Sequence, residues 1–241
     1  MSVLMPFQQL PLAVNLKDEF DFKSFFFASA NSELEAGVQL WMSGKNESFL
    51  YLWSPVAVGK THLLQAISQA LSEGGQRVCY IPMTDFINYP AEALEGLELF
   101  DFICIDDIHV VGESDAWQQA VFHFFNRLTL AGSRLIITAD CPPSELKLSL
   151  ADLKTRLGSG LIYAIKDLDD EEKKRVFKQR AIYRGFELLD DGVDYIFKRV
   201  KRDMSALMQF LDHLDKSSLV AQRKLTIPFI KTILDQKQSN N

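Results

Sequence analysis

Several things are scarce in this sequence, and each scarcity excludes a class of protein. Cysteine occurs three times, at Cys79, Cys104 and Cys141. An odd, scattered set of this kind excludes a disulfide scaffold and a zinc site, and reads as reduced thiols. Histidine occurs four times, at His62, His109, His123 and His213, without metal-ligand spacing; surface and packing roles are the expectation. Apolar runs of about 18 residues, the minimum for a membrane-spanning helix, are missing. The start, Met1-Ser2-Val3-Leu4-Met5-Pro6-Phe7, lacks the basic n-region of a secretory signal. A cytoplasmic protein without membrane association is therefore expected. Basic residues are outnumbered, 26 Lys and Arg against 32 Asp and Glu, for a net charge of −6. That balance argues against direct sequence-specific DNA binding, whose footprint is basic. What remains is 241 residues, 47% hydrophobic and 24% charged, enough for one large domain or a main domain plus a small one.

The strongest chemical signal is Ser54-Pro55-Val56-Ala57-Val58-Gly59-Lys60-Thr61. Ahead of it an apolar run at 48–53 predicts a buried strand. Behind it Leu63, Leu64, Ile67 and Leu71 recur at helical spacing through 62–71. Strand, eight-residue loop and helix is the context of a phosphate-binding loop. Backbone N–H groups then curl round the phosphates, and the helix N-terminus adds its positive dipole end. In this arrangement Lys60 reaches the outer phosphates and the Thr61 hydroxyl ligates Mg²⁺, while His62 opens the helix. One position departs from G-x-x-x-x-G-K-[ST]: Ser54 stands at the first glycine.

The second signal is a run at 99–107 that ends in Asp106-Asp107. A continuous apolar run with acids at its end predicts a central parallel strand, at whose C-terminal edge ligands gather. Asp106 is placed to hold Mg²⁺ through water, and Asp107 to orient or deprotonate an attacking water. Paired acids also close ordinary strands, so the phosphate loop upstream carries much of this reading. A further strand over 134–140 puts Asp140 on the same edge, as a site residue or as a cap on Cys141-Pro142-Pro143.

Around these signals the rest falls into order. Residues 1–18 form a leader that contains Gln8-Gln9-Leu10-Pro11-Leu12, either a plain tail or an extended apolar docking peptide. Phe20, Phe22, Phe25, Phe26 and Phe27 make 20–27 too aromatic for a tail; this stretch covers a base or a core edge. A helix is predicted from Asn31 or Ser32 to Met42, with either residue as N-cap and Glu35 completing a capping-box pattern on Ser32. A strand follows at 77–82, then short helical pieces to 97, a helix at 115–130 after Ser114, and a last strand at 161–165. From 167 the character turns to charged amphipathic helices, at 169–183, 190–200, 203–221 and from 226 with Pro228 in the first turn. The expected domains are therefore a leader at 1–18, an α/β nucleotide-binding unit at 19–166 and a helical unit at 167–241.

Taken together, this order resembles an AAA+ P-loop NTPase: a parallel sheet flanked by helices, then a small helical lid. The match to the DnaA branch is closer. It rests on Gly59-Lys60-Thr61-His62-Leu63-Leu64, on Asp106-Asp107-Ile108, on Asp140-Cys141-Pro142-Pro143-Ser144-Glu145-Leu146, and on Leu153-Lys154-Thr155-Arg156-Leu157-Gly158-Ser159-Gly160-Leu161. The chain stops at Asn241 without a terminal helix-turn-helix pattern and carries the short leader. In this it is similar to regulatory members of that family, which join the DNA-loaded sliding clamp to the ATP-bound initiator DnaA and promote hydrolysis of its ATP. The resemblance implies a clamp ligand at Gln8, Leu10, Pro11 and Leu12. It implies Walker B acids at Asp106 and Asp107 and sensor 1 at Asp140. Arg156 would be an arginine finger supplied in trans, and Phe22 and Phe25 would contact base and ribose. ADP or ATP, ADP favoured, is the implied nucleotide, with Mg²⁺; a homodimer or higher oligomer fits the head-to-tail habit of such modules. Ser54 departs from the loop pattern, and Ser205 stands where the lid's sensor arginine belongs, so that either Arg202 substitutes from the preceding turn or the contact is absent; with Asp107 where many hydrolases carry Glu, these departures imply firm binding and poor turnover. The competing expectation is an active ATPase of the helicase-loader or initiator-paralogue type.

Overall fold

A computed structural model of the chain describes residue 22 and residues 25–45, 47–55, 57–221 and 226–239. The leader with Gln8, Leu10, Pro11 and Leu12, and Val56 of the loop, lie outside the described residues.

The described strands are β1 (Phe49–Trp53), β2 (Val78–Pro82), β3 (Phe102–Asp106), β4 (Arg134–Ala139) and β5 (Leu161–Ala164). They form one parallel sheet in the order β2-β3-β4-β1-β5. The helices of this part are α1 (Ser32–Met42), α2 (Lys60–Glu73), α3 (Met83–Phe86), α4 (Asp115–Ala131) and α5 (Ala151–Leu157). Successive side chains on a strand point to opposite faces, and here both faces are covered. Tyr51, Ile103, Ile105, Leu135 and Ile137 pack with Phe124, Leu128 and Leu153 of α4 and α5. Their neighbours Leu50, Leu52, Cys104 and Ile136 pack with Val38, Trp41, Leu63 and Ile67 of α1 and α2. This is why the strands read as unbroken apolar runs.

The helical part comprises α6 (Asp170–Tyr183), α7 (Asp190–Phe197), α8 (Met204–Ala221) and α9 (Ile227–Ser239). It has a cluster of its own, with Phe177, Ile196, Leu207, Phe210, Leu214 and Ile230 at its centre. Asp169 begins α6 with a full capping box, its carboxylate accepting from the Glu172 N–H and Glu172 accepting from the Asp169 N–H.

Three local expectations need correction. The box expected at Ser32 and Glu35 is not formed: the N-cap of α1 is Asn31, and its side chain makes no cap bond. Asn31 is buried, and its amide instead exchanges two bonds with the backbone of Lys166, at 2.8 and 2.9 Å. A buried amide takes the partner that leaves no polar group unpaired, and here that is the connection into the lid. Strand β3 begins at Phe102, not at 99. Leu97–Leu99 forms a 3₁₀ turn, and Asp101 is drawn out to an ion pair with Arg77 at 2.7 Å. Residues 151–157, expected only as a lead into β5, form α5.

Candidate functional site

The phosphate loop leaves β1 at Ser54 and enters α2 at Lys60. Ser54 is buried, and its N–H extends the sheet by donating to the Ala139 carbonyl at 3.2 Å. Its backbone stays out of the left-handed region, so a glycine is not needed there. Gly59 does need its freedom: it sits at φ 93°, where a side chain is strained. As the N-cap of α2 it makes no side-chain cap bond, and a helix N-terminus of this kind suits an anion. The Lys60 ammonium donates to the Ser54 carbonyl at 2.7 Å, which folds it back over the loop.

At the adjacent strand end, Asp106 is almost fully buried, at 3% exposure. Each of its oxygens accepts a hydroxyl. Thr138 donates to Oδ1, and Tyr80 donates to Oδ2 at 2.9 Å. Thr138 in turn accepts from the Asp107 N–H at 3.0 Å. Burial in the first place, and then the charge of Asp106, push the Tyr80 phenol up, so it stays a donor. Two hydroxyls thus hold Asp106 in one rotamer as an acceptor, with lone pairs still available for water.

Asp107 has φ 56° and ψ 50°, and it is the sole non-glycine with positive φ among the described residues. Strain of this kind persists where the surroundings over-determine it, and it concentrates at functional sites. Burial first, and the neighbouring Asp106 second, push the Asp107 carboxyl up, against the opposing charges of His109 and Lys60. The His109 ring lies between two acids, 3.9 Å from Asp107 and 3.7 Å from Asp140.

A cavity of about 510 Å³ opens over the loop, within the range of a small-molecule site. Of the residues expected to hold a cofactor, Phe25, Ala57, Val58, Gly59, Lys60, Thr61 and His62 line it, together with Asp107. Phe22, Ser54, Pro55 and Asp140 are not among its lining residues. Phe22 stacks edge-on against Phe27 with ring centroids 5.9 Å apart. Asp140 is exposed at the end of β4.

The far wall comes from the lid: Val176, Arg180, Arg184, Met204, Ser205 and Met208. Sequence reasoning missed Arg180 and Arg184, as well as Tyr80 and Thr138. A charged amphipathic helix hides which of its arginines is buried; the one available signal was the four-residue spacing of 180 and 184 beside Phe177 and Ala181. The Arg180 guanidinium lies against the ring of His62, 3.1 Å from Nδ1 and 2.5 Å from Nε2, and donates to the nitrogen that carries no proton. Burial first, then the Arg180 charge, lower the His62 imidazole to about 3, so it is neutral at pH 7. Arg202 instead turns outward, 2.6 Å from Asp170.

Thr61 and Asp106 offer oxygen ligands only, the donor set that suits Mg²⁺. Among the described residues no His, Cys, Asp and Glu cluster forms a metal site of its own. The buried thiols of Cys79 and Cys104 are pushed up to about 12 and are inert. Arg156 lies elsewhere, exposed on α5 and outside the cavity lining. Among the described residues no helix is long and apolar enough to cross a membrane.

Comparison with known proteins agrees with this geometry. Domain III of the Thermotoga maritima replication initiation protein DnaA superposes with a TM-score of 0.79 at 22% identity, covering 91% of this chain and 97% of that one. AMPPCP-bound DnaA from Aquifex aeolicus gives 0.73 at 22% identity, covering 93% and 71%. The Thermotoga maritima RuvB Holliday junction branch migration motor gives 0.65 at 16% identity, covering 87% and 70%. These likenesses show the AAA+ fold. Two families match in sequence: the bacterial DnaA ATPase domain over residues 16–164 and the lid domain of Hda over residues 170–234. The chain therefore belongs to the bacterial DnaA ATPase family of DNA replication, as a DnaA-related AAA+ protein with a lid of the Hda kind.

Proposed function

We propose that the chain is a nucleotide-dependent adaptor that restrains replication initiation. In this reading it holds ADP or ATP, ADP in the resting form, and Thr61 and Asp106 are the residues that would hold Mg²⁺. The leader residues Gln8, Leu10, Pro11 and Leu12 bind the sliding clamp, and Arg156 reaches the ATP held by the initiator DnaA. Residues 19–166 act as the nucleotide-binding unit and 167–241 as the lid. The protein works in the cytoplasm, and self-association head to tail is compatible with the exposed α5.

The observation that supports this most is the place of Arg156. It stands on the exposed face of a seven-residue helix, and no hydrogen bond or ion pair engages its side chain among the described residues. A guanidinium kept away from the chain's own cavity is available to a neighbour's phosphates. An arginine supplied in trans accelerates phosphoryl transfer by about 10³–10⁵ in other phosphate-hydrolysing systems. When bound, Mg²⁺ neutralises phosphate charge; the loop N–H groups and Lys60 orient the phosphates, and Tyr80 and Thr138 keep Asp106 aimed.

Arg156→Ala should leave clamp binding intact and abolish stimulation of DnaA ATP hydrolysis. Gln8→Ala with Leu12→Ala should lose the clamp first. Full stimulation by both variants on clamp-loaded DNA would refute the adaptor. A pull-down of clamp and initiator with and without ADP tests the role of the nucleotide.

The active-ATPase alternative draws support from Asp107. Its strained backbone and raised carboxyl beside Lys60 suit a group that takes a proton from water. Rapid single-turnover hydrolysis by the isolated chain, lost in Asp107→Asn, would favour it over the adaptor.

A further inference from the structure

The lid contributes arginine to the cavity from an unexpected helix. Arg180 and Arg184 lie four residues apart on α6, so they share one face, and both line the cavity that contains Gly59 and Lys60. Arg180 is only 8% exposed, a burial that arginine rarely tolerates without a specific task. The two are held differently. Arg184 pairs with Asp212 of α8 at 2.6 Å, a contact within the lid. Arg180 crosses to the other side and meets His62 in the first turn of α2, two residues after Lys60. That contact fixes the guanidinium beside the first turn of α2.

On α8 the cavity is lined by Met204, Ser205, Met208 and Asp212, none of them a cation. Nearby Arg202 pairs with Asp170 and is absent from the lining. The geometry points to Arg180 of α6 as the lid's cation for the phosphate groups of a bound nucleoside diphosphate or triphosphate. This inference rests on the nucleotide reading of the cavity and assigns a residue that reading left open. A guanidinium presents planar, forked donors that suit phosphate oxygens. Phosphates on the α2 N-terminus would engage Arg180 from the core side while α6 carries it from the lid side. Nucleotide occupancy thereby sets the position of the lid, and Ser205 needs no cation.

Titration of the full chain with fluorescent analogues of ADP and AMP tests this. Arg180→Ala should weaken ADP about tenfold or more, the scale of one lost charge-assisted bond, and weaken AMP much less, so that the ADP-over-AMP preference shrinks. Arg180→Lys, which keeps the charge and guards against a misfolded variant, should recover part of the loss. Arg202→Ala should stay within about twofold of wild type, on the additivity expected of a distant site. An equal loss of ADP and AMP in Arg180→Ala, or a larger ADP loss in Arg202→Ala, overturns the assignment while the nucleotide reading stands. If the wild-type chain binds neither analogue, both fall together.

Discussion

The sheet and the lid each bury a sizeable apolar cluster, yet they are secured in different ways. In the sheet every interior strand is covered on both faces, and the site acid Asp106 is gripped by hydroxyls from β2 and β4, so site and core are one packed object. The lid packs its own cluster around Phe177 and Phe210 and meets the sheet through polar contacts. Glu172 accepts from the Ser29 N–H at 3.0 Å and from its hydroxyl at 3.1 Å, Asn31 clasps Lys166, and Arg180 meets His62. Polar links are specific in geometry but modest in net energy. The difference teaches that the rigid half of the site belongs to the sheet and the adjustable half to the lid.

Core truncations put the largest strain on this comparison. Phe124→Ala and Phe210→Ala remove fully buried rings and should each cost about 3–5 kcal/mol. Their signatures should differ. Phe124→Ala lowers the main thermal transition, whereas Phe210→Ala frees the lid amides to exchange while the strands stay protected. Equal loss of protection everywhere in Phe210→Ala would mean the two parts are one cooperative unit.

Acid should act next, through the junction. The folded value of His62, about 3, lies below its ordinary 6.5, so the unfolded chain takes up this proton first. The contribution to stability is complete above about pH 6.5 and shrinks as the pH falls from there toward 3. The loss is about 1.4 kcal/mol per pH unit, or about 2 kcal/mol by pH 5. Melting curves across pH 5–7 should show this slope in wild type and a flatter one in His62→Gln.

Glu172→Ala removes its half of the α6 capping box, the bond from the Asp169 N–H, and both Ser29 bonds, and should cost about 1.5 kcal/mol, read as faster exchange in α6. Hydrogen bonds from Ser29 and Asp169 hold the Glu172 carboxyl below its usual range, so the clasp itself loosens as the pH falls through the carboxylate range. The smallest effect has the opposite sign. Asp107→Asn keeps a residue that tolerates the left-handed backbone and removes a carboxylate crowded by Asp106. It should raise stability by about 1 kcal/mol at pH 7, as relief of active-site strain does. The gain should fade at low pH, where Asp107 is protonated, and a constant gain across pH would place the strain in the backbone alone.

The phosphate loop, the acid-tipped strand and the order of helices were all legible in sequence. Each is local: Gly59-Lys60-Thr61 needs only its own strand and helix, and the runs through Leu50, Ile103 and Ile136 announce two-sided burial. Boundaries were less legible where a distant partner intervened. Phe102 starts β3 because Arg77 draws Asp101 outward, and Asn31 leaves its helix uncapped because Lys166 offers it two bonds. Leu153 and Leu157 are buried, yet the seven-residue helix that carries them was too short to show a period.

The sequence by itself therefore determined the fold class, the phosphate loop and the family of this protein, because strand burial, loop chemistry and helix periodicity are written in consecutive residues. Only the tertiary structure decided that Ser54 replaces glycine without a left-handed backbone, that Tyr80 and Thr138 fix Asp106, and that Arg180 faces the cavity while Arg202 turns to Asp170. Those outcomes depend on pairings between residues 26 to 118 positions apart. The physical reason is burial: a polar group cut off from water must find its partner in space, and the nearest partner in space is seldom the nearest in the chain.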